Sequence, residues 1–195
     1  MATRIVVYGV LAIGMLAFAA TTPRGATVSA PLERFTATAV DVGGIVYENL
    51  RPVELVVTRW STDAEERALV VALLDKGPEG FIDRLCDIPS VGSIYTMDGT
   101  EYVLRFARQV ATADGGRHIL FASDRPIFLW NSPFRPRLVF DPPTFLELRL
   151  KGNGEGEGKV SSETKIEVDE GLSVVGIFDY ADRPVRLMAV RSHVP

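Results

Sequence analysis

The stretch Val91-Gly-Ser-Ile-Tyr-Thr-Met-Asp-Gly-Thr-Glu-Tyr-Val-Leu-Arg-Phe-Ala-Arg-Gln-Val110 sets two strand-like runs on either side of Asp98-Gly99. Asp-Gly between β-branched and aromatic residues marks a tight hairpin turn, because both residues tolerate the left-handed backbone such a turn needs. The pair predicts antiparallel strands over 91–97 and 101–110. The same signals recur outward. Upstream lie 34–40, ended by Gly43-Gly44, and 52–60, where Val53, Leu55 and Val57 alternate with Glu54, Thr58 and Trp60. Downstream lie 117–123 and 144–151. Then comes a strict alternation of Val160, Ser162, Thr164, Ile166 and Val168 with polar partners, a turn at Glu170-Gly171, and runs over 172–180 and 184–191. About nine short strands so spaced predict a mainly β (α+β) fold, an antiparallel β-barrel or sandwich. Five prolines between Asp124 and Pro143 exclude a central strand over most of that segment.

One helical hairpin, over 62–88, interrupts the strands. Thr62 and Glu65 have the spacing of a capping box, in which hydroxyl and carboxylate satisfy amides that a first helical turn leaves unpaired. Leu69, Val70, Leu73 and Leu74 follow as an apolar stripe at helical spacing. Lys76-Gly77 closes the first helix and Pro78 opens a second. The expected position is a lid over one barrel end or one sandwich face. Cys86, the one cysteine, continues the face of Phe81, Ile82 and Leu85 and is expected to be a buried structural residue that cannot form an intrachain disulfide.

The chain begins with Arg4, an apolar run from Ile5 to Ala20, and Ala17-Phe18-Ala19, the anatomy of a secretory signal peptide over 1–19. The run is short for a permanent span, which takes ~20 apolar residues. Residues 20–32 read as a flexible lead-in and 33–195 as a single β-rich domain with the hairpin inserted. Export places the protein in the periplasm or outside the cell, with no permanent membrane span once the signal is removed. The formal net charge of −4 and the scattered arginines argue against nucleic acid as partner.

The familiar catalytic and metal constellations are missing from the sequence. Only His118 and His193 occur, neither at ligand spacing to a cysteine or another histidine, so no metal site and no cofactor is expected. His118 reads as structural or exposed rather than as a base. The glycine-rich segment Lys151 to Lys159 lacks the ending of a phosphate loop and the late carboxylate of a calcium loop, and reads as a solvated hairpin loop. Two arginines stand out. Arg59 falls in phase with Val53, Leu55 and Val57, and Arg108 in phase with Tyr102, Leu104 and Phe106. A charge on an apolar face must pair or reach water. Either each guanidinium snorkels outward at a strand end, or the two line a cavity that holds an acidic group.

The segments Arg59-Trp-Ser-Thr-Asp-Ala-Glu65, Leu104-Arg-Phe-Ala-Arg108, Ala122-Ser-Asp-Arg-Pro-Ile127, Leu148-Arg-Leu150, Gly156-Glu-Gly-Lys159 and Pro184-Val-Arg-Leu187 resemble a family of short exported bacterial proteins. The resemblance implies an intact domain of the bacterial envelope and carries over no functional residue. The expected function is a non-catalytic binding or interaction module acting on a protein or a small amphiphilic ligand. The alternative is a barrel-type carrier of an apolar or amphiphilic acid anchored by Arg59 and Arg108, and an enzyme of unrecognised type stands third.

Overall fold

Asp98 and Gly99 build the turn that the sequence marks. The Thr96 hydroxyl donates to the Asp98 carboxylate, which also accepts the Thr100 amide at 3.1 Å, and Gly99 takes a left-handed φ of 80°. The turn is one step longer than a two-residue hairpin, and the same construction recurs at Thr112, Asp114 and Gly116. This computed structural model describes residues 31–41, 50–129, 143–161, 164–169, 174–179 and 185–194, which form ten strands and one helical insertion. The expected signal segment, nearly all of the lead-in, most of the proline-rich stretch and the turns at Gly43-Gly44 and Glu170-Gly171 lie outside the described residues.

The strands are β1 (Glu33–Asp41), β2 (Leu50–Val57), β3 (Gly92–Thr96), β4 (Glu101–Ala111), β5 (Arg117–Ser123), β6 (Phe145–Leu150), β7 (Glu155–Ser161), β8 (Thr164–Asp169), β9 (Val174–Asp179) and β10 (Val185–His193). Eight of them close an antiparallel barrel in the order β1-β10-β7-β6-β5-β4-β3-β2, and β8 and β9 form a separate two-stranded ribbon. The choice between barrel and sandwich thus falls to the barrel, which leaves none of its eight strands with an open edge. The run expected as one strand from 160 to 169 is divided between β7 and β8. The segment expected as a glycine-rich loop is mostly strand, since the turn ends at Gly154. A Cβ on Gly156 or Gly158 would strike the backbone of β6, so these positions accept glycine alone.

The barrel is filled, not hollow. Phe35, Leu55, Ile94, Leu104, Phe121, Leu146, Leu148 and Leu187 are fully buried within one cluster, with Phe35 and Phe121 edge to face at 6.1 Å. Each such side chain contributes about 1.5–3 kcal/mol through burial. The chain after β5 closes one end of the barrel. Ile127 and Leu129 enter the same cluster, and the Ile127 amide donates to the Thr144 hydroxyl at 2.9 Å.

The helical insertion α1 (Asp63–Asp87) breaks at Gly77, whose φ of 67° lies outside any helix, so two arms result. Thr62 and Glu65 form the expected capping box in both directions. The arms lie against the outer wall of the barrel rather than over an end. Leu69, Leu73, Phe81 and Leu85 pack on Phe106, Ala122 and Phe145 of β4, β5 and β6. This outer apolar patch is narrow, which corrects two expectations. Leu74 is 57% exposed, and Cys86 is exposed although Phe81, Leu85 and, in part, Ile82 of the same arm pack on the wall. Partial desolvation, followed by the nearby Asp124, holds the Cys86 thiol above its ordinary pKa. Among the described residues, no helix is long and apolar enough to cross a membrane.

Candidate functional site

Arg59 and Arg108 do meet carboxylates, and the carboxylates belong to the helix. β2 ends at Val57, so Arg59 has already left the barrel wall. Its guanidinium grips Glu65 through two 2.9 Å bonds and donates to the Pro89 carbonyl at 2.6 Å. Arg59 is the leading cause that holds the Glu65 carboxyl below the usual carboxylate range, against the opposing effect of burial. Arg108 owes its direction to a register shift in β4 between Leu104 and Phe106. A bulge of this kind inverts the phase of the side chains beyond it. Leu104 and Ala107 therefore face the lumen, while Phe106 and Arg108 face out. Arg108 reaches Asp63 at 2.7 Å and Glu66 at 3.3 Å in the first turn of α1. Both arginines pin the helix to the barrel, and neither is among the residues that line an open 660 Å³ cavity elsewhere on the barrel.

A different pair of charges meets inside the barrel. Glu33 opens β1 in phase with Phe35, Ala37 and Ala39, and Arg117 opens β5 in phase with Ile119 and Phe121. Closure brings them together at the end opposite the Ile127 plug. The Arg117 guanidinium spans both oxygens of Glu33, donates to Gln109 at 2.9 Å and to the Ser192 hydroxyl at 3.1 Å, and stands 5.7 Å over the Phe35 ring. Ser192 in turn donates to Glu33. The Glu33 side chain is only 6% exposed. Arg117 of this network also borders an open cavity of about 660 Å³, whose other lining residues come from the turn after β4 (Thr112, Asp114), from His118 and Arg149, and from the neighbouring ends of β7 and β10.

The cavity rim is charged with both signs. Lys151, one residue past the end of β6, falls on one row with Glu155 of β7 and Arg191 of β10, since the Lys151 amide bonds the Glu155 carbonyl and Glu155 faces Arg191. The Thr112 hydroxyl first, and the Gly116 amide second, lower the Asp114 pKa from its ordinary value. His118 is exposed, 4.0 Å from Glu147, and His193 lies 3.1 Å from the Thr36 hydroxyl. Among the described residues, no three His, Cys, Asp or Glu side chains come together as a metal site. No protein-family model, no curated protein and no solved structure matches this chain.

The mouth residues were not among the sequence candidates, although the signal was present. Glu33 and Arg117 are charges on apolar strand faces, the same criterion that drew attention to Arg59 and Arg108. Strand pairing decides which of the four meet in the lumen.

Proposed function

We propose that the chain is an exported, non-catalytic binding module of the bacterial envelope whose site is the open mouth of the barrel. The observation that carries this reading is the asymmetry of a packed barrel: one end is plugged by Ile127 and Leu129, and beside the other lies an open 660 Å³ cavity that Arg117 borders. Its volume falls within the ~300–1,000 Å³ of small-molecule sites. The amino-terminal Arg4, apolar run and Ala17-Phe18-Ala19 support export, as does the resemblance to short exported bacterial proteins. An apolar acid held within the lumen has less support, since the lumen is filled and Arg59 and Arg108 lie outside it.

Native mass spectrometry of the mature protein purified from a periplasmic fraction tests the reading. A retained small molecule, absent from Thr112→Trp, is the expected result. A bare chain in both proteins, with no thermal stabilisation by a periplasmic small-molecule extract, overturns it.

A further inference from the structure

Charge is divided between two faces of the molecule. On β6, β7 and β10 the residues that alternate with the lumen-facing Leu148, Leu150, Val160, Leu187 and Val190 point outward. They set Arg149, Lys159, Arg186 and Arg191 on the outer wall, with Lys151 just past the end of β6. The carboxylates of this wall are Glu147, Glu155 and Glu157, so five cations stand against three anions on a chain whose formal net charge is −4. Glu147 is shared between Arg149 at 2.9 Å and Lys159 at 3.5 Å, and Glu155 meets Arg191 only at 3.8 Å. Among the described residues, no carboxylate comes within ion-pair distance of Lys151 or Arg186. The helical insertion is the reverse. α1 holds seven acidic residues to three basic ones, and Asp63, Glu65 and Glu66 are already taken by Arg59 and Arg108. In the arm beyond Gly77, Glu79, Asp83 and Asp87 recur every fourth residue and are exposed, and Arg84 is the one basic residue of that arm.

We infer that the outer wall of β6, β7 and β10 docks the second arm of α1 from another copy of this chain. The inference is independent of what the mouth binds, since neither Lys159 nor Arg186 lines the cavity. Residues four apart share one helix face at steps of about 6 Å. Neighbouring strands stand ~4.8 Å apart, and the register sets Lys159 directly opposite Arg186 and diagonal to Arg149. A helix laid across the three strands therefore brings an acid near Arg149, Lys159 and Arg186 in turn. Exposed Met188 on the wall and exposed Val71 and Leu74 on the first arm add apolar area to each face. Complementary charge sets orientation and speeds encounter more than it adds affinity, so the contact is weak, reversible and lost in salt. Because the two faces differ, each added copy leaves a wall free at one end and a helix free at the other, and the contact builds chains or a ring rather than a two-fold pair.

Sedimentation velocity of the mature protein tests this at about 0.01 M and about 1 M salt, where charges are screened over ~30 Å and ~3 Å. Concentration-dependent association at low salt and a monomer at high salt are expected. Asp83→Lys/Asp87→Lys on the helix, or Lys159→Gln/Arg186→Glu on the wall, should each weaken low-salt association tenfold or more while the circular dichroism spectrum stays unchanged. Mixed in equal amounts, the two variants should form a one-to-one pair that grows no further, because each keeps one competent face. A monomer at low salt from the unaltered protein overturns the inference, as does association that high salt does not weaken or a mixture that forms no pair. Association that the wall changes abolish and the helix changes leave intact gives the wall another occupant and overturns the second copy.

Discussion

The two ends of the barrel solve the same problem with opposite chemistry. At one end, Ile127 and Leu129 enter the lumen and the backbone is tied down by Thr144 and Ser123, so that closure is apolar and dry. At the other, Glu33, Arg117, Ser192 and Gln109 close the lumen by hydrogen bonding, and Arg117 also borders an open cavity. An apolar plug stabilises in proportion to the area it removes from water. An ion pair in the same position must first offset the desolvation of both charges, so its presence says more about what the end must present than about stability. The difference teaches where to look for function in a chain without the common catalytic motifs.

Removing half of the polar closure should be the most damaging change. Arg117→Leu leaves Glu33 buried beside Phe35 without its partner and should cost about 3 kcal/mol in denaturant unfolding, the low end for a broken buried pair because the guanidinium keeps some water contact. Combining it with Glu33→Met should restore most of that loss. A double variant as unstable as the single would show that the two ends do not differ in the way described.

At the plugged end, Ile127→Ala should cost about 2.5 kcal/mol through lost burial and a residual cavity, with no dependence on salt. Leu73→Ala, under the helix, should cost about 2 kcal/mol. The adjacent Leu74→Ala should stay within ~0.5 kcal/mol, as for other exposed positions, and thermal melts of the two variants side by side check the outward turn of Leu74.

The smallest effects concern the helix start. Thr62→Ala should cost about 1 kcal/mol, the usual value of a helix cap. The lowered Glu65 pKa adds a pH signature. A depressed carboxyl contributes stability that is fully present above its unfolded pKa, near 4.5, and is lost as pH falls through the lower folded value. The stability difference between the protein and Glu65→Gln should therefore be constant from neutrality down to about pH 4.5 and shrink below it. A difference that does not change with acid would place the Arg59–Glu65 bond outside the native energetics.

Much of the fold was legible because its signals are local. The turn at Asp98-Gly99, the alternation of Val53, Leu55 and Val57, the capping box at Thr62 and the break at Gly77-Pro78 each depend on residues within a few positions. The structure places strands, helix start and helix break where those residues predict them. Glycine misled in one place, where Gly156 and Gly158 read as loop yet serve a strand pressed against its neighbour. That close approach belongs to β6 and is invisible from within 151–159.

The sequence by itself determined the elements, their antiparallel class and the presence of charges on apolar faces, since those follow from periodicity and backbone preference. Only the tertiary structure decided which face was which. One bulge in β4 turned Arg108 outward, a narrow patch on the wall left Leu74 and Cys86 in solvent, and closure between β1 and β10 brought Glu33 to Arg117 across 84 positions of sequence. A strand's side-chain phase is local until one inserted residue inverts it, and a buried ion pair exists only once two distant strand ends share one lumen.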